Sequence, residues 1–324
     1  MKKILVTGAT GFVGTGLVKE LSSKFAVTGT YCTQKPTIHE KSFLHYRQMD
    51  LSNEAEVQGV CNDCKADIVI HAAAVTERSH LPARLRRYQS INGEGTERLA
   101  RSAAYANPAV HFIYLSTTAV YGESSAAIPV GEDHSAHPST EYARSKYRGE
   151  RELVSLNRDN ILRTVTVLRL SPLYDRDDTR ILSNRVRAPR GSFFVRYGTG
   201  RQLFSALALS NLSDFISFLV LHRDSAGLRF YNVCDERPYR FNEVRETMRR
   251  RTPVDSTCIW VPRGLVYTGV VVAGVLRPHE RRRFLSYYRK LFNDLVFDCG
   301  RMRETGFNPA HTVETVFSEE GSDA

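Results

Sequence analysis

The chain predicts an α/β fold: a Rossmann-type doubly wound parallel sheet with a smaller C-terminal α/β substrate domain. Three observations predict it. The first is the opening stretch Ile4-Leu5-Val6-Thr7-Gly8-Ala9-Thr10-Gly11-Phe12-Val13-Gly14, where a short aliphatic run passes through three glycines into a helical apolar pattern. The second is the alternation of short apolar runs with helical patterns over the first half of the chain. The third is the break in that alternation after Ser171.

Lys3–Thr7 reads as a buried strand. The first glycine after it allows a tight turn, the second removes the Cβ that would hold a pyrophosphate off the backbone, and the third lets a helix pack close to the sheet. That helix, Phe12–Ser23, aims its N-terminal N–H groups and dipole at the phosphates. The spacing is G-x-x-G-x-x-G, a variant of the dinucleotide fingerprint.

Ala26–Tyr31 and Phe43–Gln48 read as strands, Glu54–Cys64 as a helix and Asp67–His71 as a buried strand. Ala83–Ala106 reads as one long helix ending before Asn107-Pro108. Val110–Ser116 is a strand, Thr117–Ser139 a loop, Thr140–Asn157 a helix and Thr164–Leu170 a strand. Strands joined by helical crossovers give a parallel sheet covered on both faces.

After Ser171, Ser213–Leu221 reads as a helix, Arg229–Val233 as a strand and Asn242–Arg250 as a helix. From Thr252 onward the segments read as short. The expected division is 1–171 for the dinucleotide domain and 172–324 for a discontinuous substrate domain, with parts such as 203–234 returning to the sheet.

The 324 residues carry a formal net charge of +10, much of it arginine. That balance suits an anionic ligand, nucleic acid or an acidic membrane surface. With no nucleic-acid motif and no aromatic-rich basic module, nucleic acid is set aside. Cys61-Asn-Asp-Cys64 lacks a second pair at zinc-like spacing, so it reads as two reduced thiols on a helix, with no metal. The apolar stretch after Met1-Lys2-Lys3 ends at Val6, too early for a signal peptide, and the expected compartment is cytoplasmic. Leu265–Leu276 is short of the ~18 apolar residues a spanning helix needs. Val261–Leu276, with the basic Arg277–Arg283 run behind it, is expected as a buried helix with a charged exit rather than a membrane contact.

The second constellation is Tyr142-Ala-Arg-Ser-Lys146. On a helix this spacing sets the phenol and the ammonium on one face. A phenol titrates near 10, and a neighbouring cation favours the phenolate, which would make Tyr142 a workable proton acceptor or donor. The third is Leu115-Ser116-Thr117-Thr118-Ala119-Val120-Tyr121-Gly122, leaving a strand at its carboxyl end, where doubly wound folds place their sites. A hydroxyl there can hold the oxygen being oxidised or reduced.

Together these motifs resemble the extended short-chain dehydrogenase/reductases of the NAD-dependent epimerase/dehydratase type, over nearly the whole length. The resemblance assigns the cofactor loop to Gly8, Thr10, Gly11, Phe12, Val13 and Gly14, and the adenine contact to Asp50 and Leu51. It lays Ala72, Ala73 and Ala74 along the cofactor and adds Asn92, Pro172, Tyr142 and Lys146. Thr117, Tyr142 and Lys146 fall on the catalytic positions, and Thr117, Thr118, Tyr142 and Arg201 on the substrate side. The implied chemistry is hydride transfer between a sugar ring carbon and the nicotinamide. Tyr142 would move the hydroxyl proton, Thr117 hold that oxygen, and Lys146 bind the nicotinamide ribose and depress the pKa of Tyr142. The resemblance also implies a nucleotide-diphosphate sugar as substrate and a homodimer built by four-helix packing.

Departures narrow this. Thr118-Ala119 replace the acid pair of a 4,6-dehydratase, leaving epimerase and 4-ketoreductase. Tyr174-Asp175 stands where the family has Tyr-Gly. The second strand ends Thr30-Tyr31-Cys32-Thr33-Gln34-Lys35 without the acid that grips a ribose 2′-hydroxyl. Thr33 and Lys35 suit a 2′-phosphate instead, so NADP is preferred over NAD, which favours a reductase. Arg185, Arg187, Arg190, Arg196 and Arg201 lie where the family grips a diphosphate, with Arg201, after Gly198-Thr199-Gly200, the best single candidate. Two other readings stay open: a reductase of a non-sugar carbonyl, steroid- or flavonoid-like, and a non-catalytic NAD(P) sensor.

Overall fold

The computed structural model describes residues 1–76, 86–122, 129–177, 182, 194–222, 226–250 and 258–318, the side chains of 282 and 283 aside. The chain forms two units. The first is Met1–Gly122, Ser135–Leu170 and Leu212–Asn232; the second is Glu123–His134, Ser171–Asn211 and Val233–Ala324.

The first half of the chain runs β1 (Lys3–Thr7), α1 (Phe12–Leu21), β2 (Ala26–Tyr31), β3 (Leu44–Gln48), α2 (Glu54–Cys64) and β4 (Ile68–His71). A π-helical turn at Gln89–Glu94 continues as α3 (Gly95–Ala106), followed by β5 (His111–Thr117), α4 (Glu141–Arg158) and β6 (Thr164–Leu170). Then come β7 (Leu173–Tyr174), β8 (Phe194–Tyr197), β9 (Leu203–Phe204), β10 (Leu207–Ala208), α5 (Leu209–Leu221) and β11 (Gly227–Val233).

Seven strands form one sheet in the order β11-β6-β5-β4-β1-β2-β3. β1 pairs in parallel with β2 and β4, and β5 with β4 and β6. Strands β4 and β6 are buried along their whole length, as a sheet covered on both faces requires. Leu99, Ala100, Phe112, Tyr114, Leu153 and Val167 belong to the core on one of those faces. The order reverses between β1 and β4, which is where open α/β sheets bind ligands. Local caps set the helix starts. Asn53 caps α2 by accepting from the Glu56 N–H, and Thr140 caps α4 by accepting from the Ala143 N–H.

The long helix expected over 83–106 is not uniform: residues 83–85 lie outside those described, and Gln89–Glu94 is π-helical. Periodicity alone does not distinguish a turn of this kind, and such turns gather at functional sites.

The second unit is built from two-stranded pieces: β7 with β10, β9 with β12 (Tyr239–Arg240), and β8 with β13 (Cys258–Val261). α6 (Phe241–Arg250) packs into a core with Tyr174, Phe204, Tyr239 and Val313. The carboxylate of Asp235 ties this core together, accepting from the Tyr174 and Tyr239 hydroxyls at 2.7 and 2.9 Å and from Asn211 Nδ2 at 2.7 Å. Burial pushes its carboxyl up from the usual range, and those donors pull it back. Cys234 and Cys299 form a disulfide across 65 residues, a pairing that scattered cysteine spacing did not reveal.

The last third differs from the reading of short segments. α7 (Arg263–Leu276) has 14 residues and α8 (Arg281–Phe292) has 12, followed by α9 (Gly300–Glu304) and α10 (Val313–Phe317). Nor is α7 the buried helix expected: Gly274 is its only buried residue, and Val275 and Leu276 are 72% and 75% exposed. Hydropathy was read as burial here, yet among the described residues no second layer covers this helix. It packs against α8, where Gly274 lies beside Arg281 and Tyr267 meets Tyr288 at 5.4 Å.

Candidate active site

The glycine loop is shaped for a close-lying ligand. Gly8 adopts φ +67°, and a Cβ there would sit 2.7 Å from the Ala73 Cα. A Cβ on Gly14 would fall 2.0 Å from the Gly8 carbonyl oxygen, so α1 leaves the loop at a distance only glycine permits. Gly11 is exposed, with nothing nearer than 3.4 Å to a built Cβ, which leaves a cradle open to a phosphate. α1 starts at Phe12 with no side-chain cap and no acid in its first turn, so its positive end is left for an anion. Thr10, Phe12 and Val13 are half-buried around that opening. These residues fit the pyrophosphate of a dinucleotide.

Beneath the loop lies buried scaffolding. His71 Nδ1 is 2.7 Å from Thr7 Oγ1 and its Nε2 is 3.0 Å from Thr96 Oγ1. Burial, with Lys146 adding to it, holds His71 neutral. Thr7 Oγ1 also accepts from the Ala73 N–H at 3.2 Å, fixing the end of β4 where Ala72, Ala73 and Ala74 are half-buried.

Asp50 is half-buried, while Leu51 is a core residue. The Asp50 carboxylate accepts from the Ser52 N–H and hydroxyl at 2.8 and 2.7 Å, and these bonds hold its pKa below the usual carboxylate range. Cys32, at the tip of β2, donates to the same carboxylate. Thr33 and Lys35 are exposed just beyond.

Asn92 was assigned to the cofactor by resemblance. Its side chain is wholly buried and bonds within the protein. Its Oδ1 accepts from the Val75 N–H at 2.8 Å, and its Nδ2 donates to the Val75 carbonyl and to Ser145 Oγ, both at 3.0 Å. The asparagine thus clamps the segment after β4 to α4.

Tyr142 and Lys146 stand one turn apart on α4. Tyr142 is half-buried, its ring 6.4 Å from that of Tyr88. Lys146 is 1% exposed, with Nζ 4.1 Å from the centre of the Tyr114 ring on β5. The proton affinities run opposite to expectation. Burial, with the Tyr88 phenol adding to it, pushes Tyr142 up to about 12. Burial pulls Lys146 down to about 7, against the attraction of Glu150. Desolvation outweighs the attraction that a sequence reading gives a neighbouring cation, because Lys146 is buried and Tyr142 is partly withdrawn from water.

Thr117 ends β5 half-buried, and its Oγ1 accepts from the Ala119 N–H at 3.2 Å. Thr118, expected on the substrate, is buried and donates to the Leu170 carbonyl at 3.2 Å. A network that sequence reasoning missed lies behind them. Ser116 Oγ donates to Glu150 at 2.5 Å, and Arg169 Nη2 donates to the same carboxylate at 2.7 Å. Arg169 Nη1 reaches the Tyr121 hydroxyl at 2.9 Å, which donates to Asn232 at 2.7 Å. The only signal in the sequence was a buried-looking strand containing one arginine, Thr164–Leu170.

In the second unit, Tyr174 is buried against Asp235, so the Tyr-Asp departure leaves a structural tyrosine. Pro172 is half-buried there, its carbonyl accepting from the Leu207 N–H at 3.0 Å. Arg196 and Arg201 are exposed and make no ion pair among the described residues. Arg185, Arg187 and Arg190 lie outside the described residues.

A parallel sheet with a glycine cradle at its switch point and a Tyr-x-x-x-Lys helix beside it defines a dinucleotide-dependent oxidoreductase of the extended short-chain dehydrogenase/reductase class. The comparisons agree: the NAD dependent epimerase/dehydratase family pattern matches residues 4–234, and the chain belongs to that family. It is 24% identical over 320 residues, 96% of this chain and 91% of the relative, to an N-acetyl-alpha-D-glucosaminyl-diphospho-ditrans,octacis-undecaprenol 4-epimerase of Escherichia coli O157:H7. It is 27% identical over 238 residues, 71% of this chain and 70% of the relative, to a UDP-glucose 4-epimerase of Vibrio cholerae. Among solved structures, a UDP-glucose 4-epimerase of Thermotoga maritima, with UDP-glucose, shares the fold at a TM-score of 0.74 and 20% identity, covering 97% of this chain and 96% of that one.

Proposed function

We propose that this enzyme is an NAD(P)-dependent epimerase or 4-ketoreductase of a sugar carried on a diphosphate, with Tyr142 as the group that moves the hydroxyl proton. One observation carries the reading. Tyr142 stands one turn from the buried Lys146, on a helix packed against the strand that delivers Thr117, in the same unit as the glycine cradle. When bound, the nicotinamide supplies the acceptor and donor of hydride. The protein's part is to orient and to move the proton. With its phenol held up near 12, Tyr142 is protonated at neutral pH and suited to give its proton to a ketone oxygen. Thr117 holds that oxygen, and Lys146 the ribose. The exposed Arg201 supports a grip on diphosphate, and the exposed Thr33 and Lys35 support NADP over NAD. The exposed Tyr105 on α3 and Val154 on α4 support pairing of two copies through those helices, which equilibrium sedimentation tests by mass.

Tyr142→Phe is the direct test of the proton role. It keeps the ring and removes the proton, and turnover is expected to fall by roughly 10²–10⁴-fold with the fold intact. Turnover unchanged with a folded variant overturns the assignment. Mass spectrometry of dinucleotide released from the purified protein, followed by titration, tests the cofactor. Selective uptake of NADPH is expected, and tightly held NAD would instead make the enzyme an epimerase that recycles it.

A second reading concerns what carries the diphosphate. The exposed apolar α7 favours a sugar diphosphate on a polyprenyl lipid, the substrate named for the Escherichia coli relative. Assay with a UDP-sugar and with a polyprenyl-diphosphate sugar separates the two.

A further inference from the structure

The hairpin of α7 and α8, with the strand β13 that leads into it, takes no part in the chemistry above, yet together they hold most of the large hydrophobic residues that the described chain leaves in water. Of its fifteen exposed large hydrophobic residues, nine fall between Ile259 and Tyr287. Trp260 is 56% exposed, Leu265 66%, Val272 53%, Val275 72% and Leu276 75%. A helix facing water carries charge on that side. α7 has one charged residue, Arg263, at its first position, and none in the thirteen that follow. A concentrated apolar patch of this kind marks a surface that meets something other than water.

Charge decides what it meets. From Arg263 to Phe292 the sequence places seven cationic residues (Arg263, Arg277, three at 281–283, Arg289 and Lys290) against one carboxylate, Glu280. Apolar side chains fringed by arginine match an anionic lipid bilayer, whose acyl chains take the former and whose phosphates take the latter. A second copy of this chain would fit poorly. A two-fold contact sets the same patch against itself, and these cations would face their own copies.

The geometry suits lying on a surface rather than crossing it. The 14 residues of α7 rise about 21 Å, against a hydrocarbon core of ~30 Å. Among the described residues, no helix is long and apolar enough to cross a membrane. The hairpin is also fixed in advance. Arg263 Nε donates to the Tyr288 hydroxyl at 2.7 Å, and its guanidinium lies 5.6 Å from the centre of that ring. Trp260 Nε1 donates to the Gly198 carbonyl at 2.9 Å while its ring stays exposed, the arrangement of an interfacial tryptophan. Little order remains to be gained on docking.

We propose that the α7–α8 hairpin is an interfacial anchor that docks this enzyme on anionic phospholipid membranes. The proposal stands on this surface and does not depend on which sugar reacts.

Trp260 is the only tryptophan in the chain, so its fluorescence reports the patch directly. The full-length protein is mixed with vesicles of phosphatidylcholine alone or with phosphatidylglycerol added, with and without bromine on the acyl chains. The expected result is a blue shift with phosphatidylglycerol, quenched by bromine and reversed at about 1 M salt, where screening reaches a few ångströms. Arg277→Glu with Arg281→Glu is expected to weaken vesicle affinity by at least about tenfold. Val272→Asp with Leu276→Asp is expected to abolish the bromine quenching. Both pairs are exposed, and unchanged thermal melting confirms that the variants are folded. No shift with phosphatidylglycerol overturns the proposal, as does equal binding to both vesicle types. A blue shift that grows with protein concentration and needs no vesicles overturns it in favour of self-association.

Discussion

Lys146 shows how burial resets a single residue. An ordinary lysine is charged at neutral pH; this one is pulled down to about 7 by desolvation, with Glu150 as the opposing attraction. Its folded pKa lies below its unfolded one, so the unfolded chain binds the extra proton between about pH 7 and pH 10.5. Stability therefore rises with pH across that window, and the cost of burying the ammonium is full below it. Lys146→Met removes the titration. In the cofactor-free protein its stability relative to wild type is expected to be best near pH 6 and to decline by up to about 4 kcal/mol toward pH 10. Denaturant melts at several pH values measure this, and a pH-independent difference between the two proteins would sink the idea. The same logic explains Tyr142: a half-buried phenol beside another phenol holds its proton at neutral pH.

The π-helical turn leading into α3 matters at the scale of elements. A π-helical turn adds a residue and costs helical hydrogen bonding, so it persists where something holds it. Here Asn92 holds it, by satisfying both backbone groups of Val75 and binding Ser145 on α4. Asn92→Ala would leave the half-buried N–H and carbonyl of Val75 short of a partner, and about 3 kcal/mol of stability is expected to be lost. Amide exchange at Val75 should accelerate in the same variant. Unchanged exchange there would mean that the segment after β4 is held by something else. Glu150 and Arg169 do similar service between α4 and β6. Each would be a costly buried charge alone, and their bidentate contact plus Ser116 and Tyr121 satisfies both.

The whole molecule combines two units of different character. The first is a continuous sheet whose strands are filled by aliphatic residues. The second has only two-stranded pieces and relies on cross-links of other kinds, the Asp235 hub and the Cys234–Cys299 disulfide. A bridge closing 65 residues removes enough freedom from the unfolded chain to be worth up to about 4 kcal/mol in the loop-entropy picture. Cys234→Ser with Cys299→Ser is expected to lower the unfolding midpoint, as is reductant on the wild type. Equal midpoints with and without reductant would show that the bridge adds nothing. The net charge of +10 is also uneven along the chain: six of it falls within Arg263–Phe292, seven cations less Glu280.

The sequence by itself determined the doubly wound sheet, the glycine cradle and the Tyr142–Lys146 spacing. Each is a local consequence of a short stretch: aliphatic runs make buried strands, glycine alone tolerates the loop at Gly8 and Gly14, and four-residue spacing places two side chains on one helix face. Tertiary structure decided whatever depends on neighbours distant in the chain. It turned Asn92 and Thr118 inward to backbone partners, paired Arg169 with Glu150, and joined Cys234 to Cys299. It set the proton affinities of Tyr142 and Lys146, because desolvation is a property of the surrounding fold and not of a motif. It left α7 exposed among the described residues, since hydropathy records how much a helix gains from leaving water but not what will cover it.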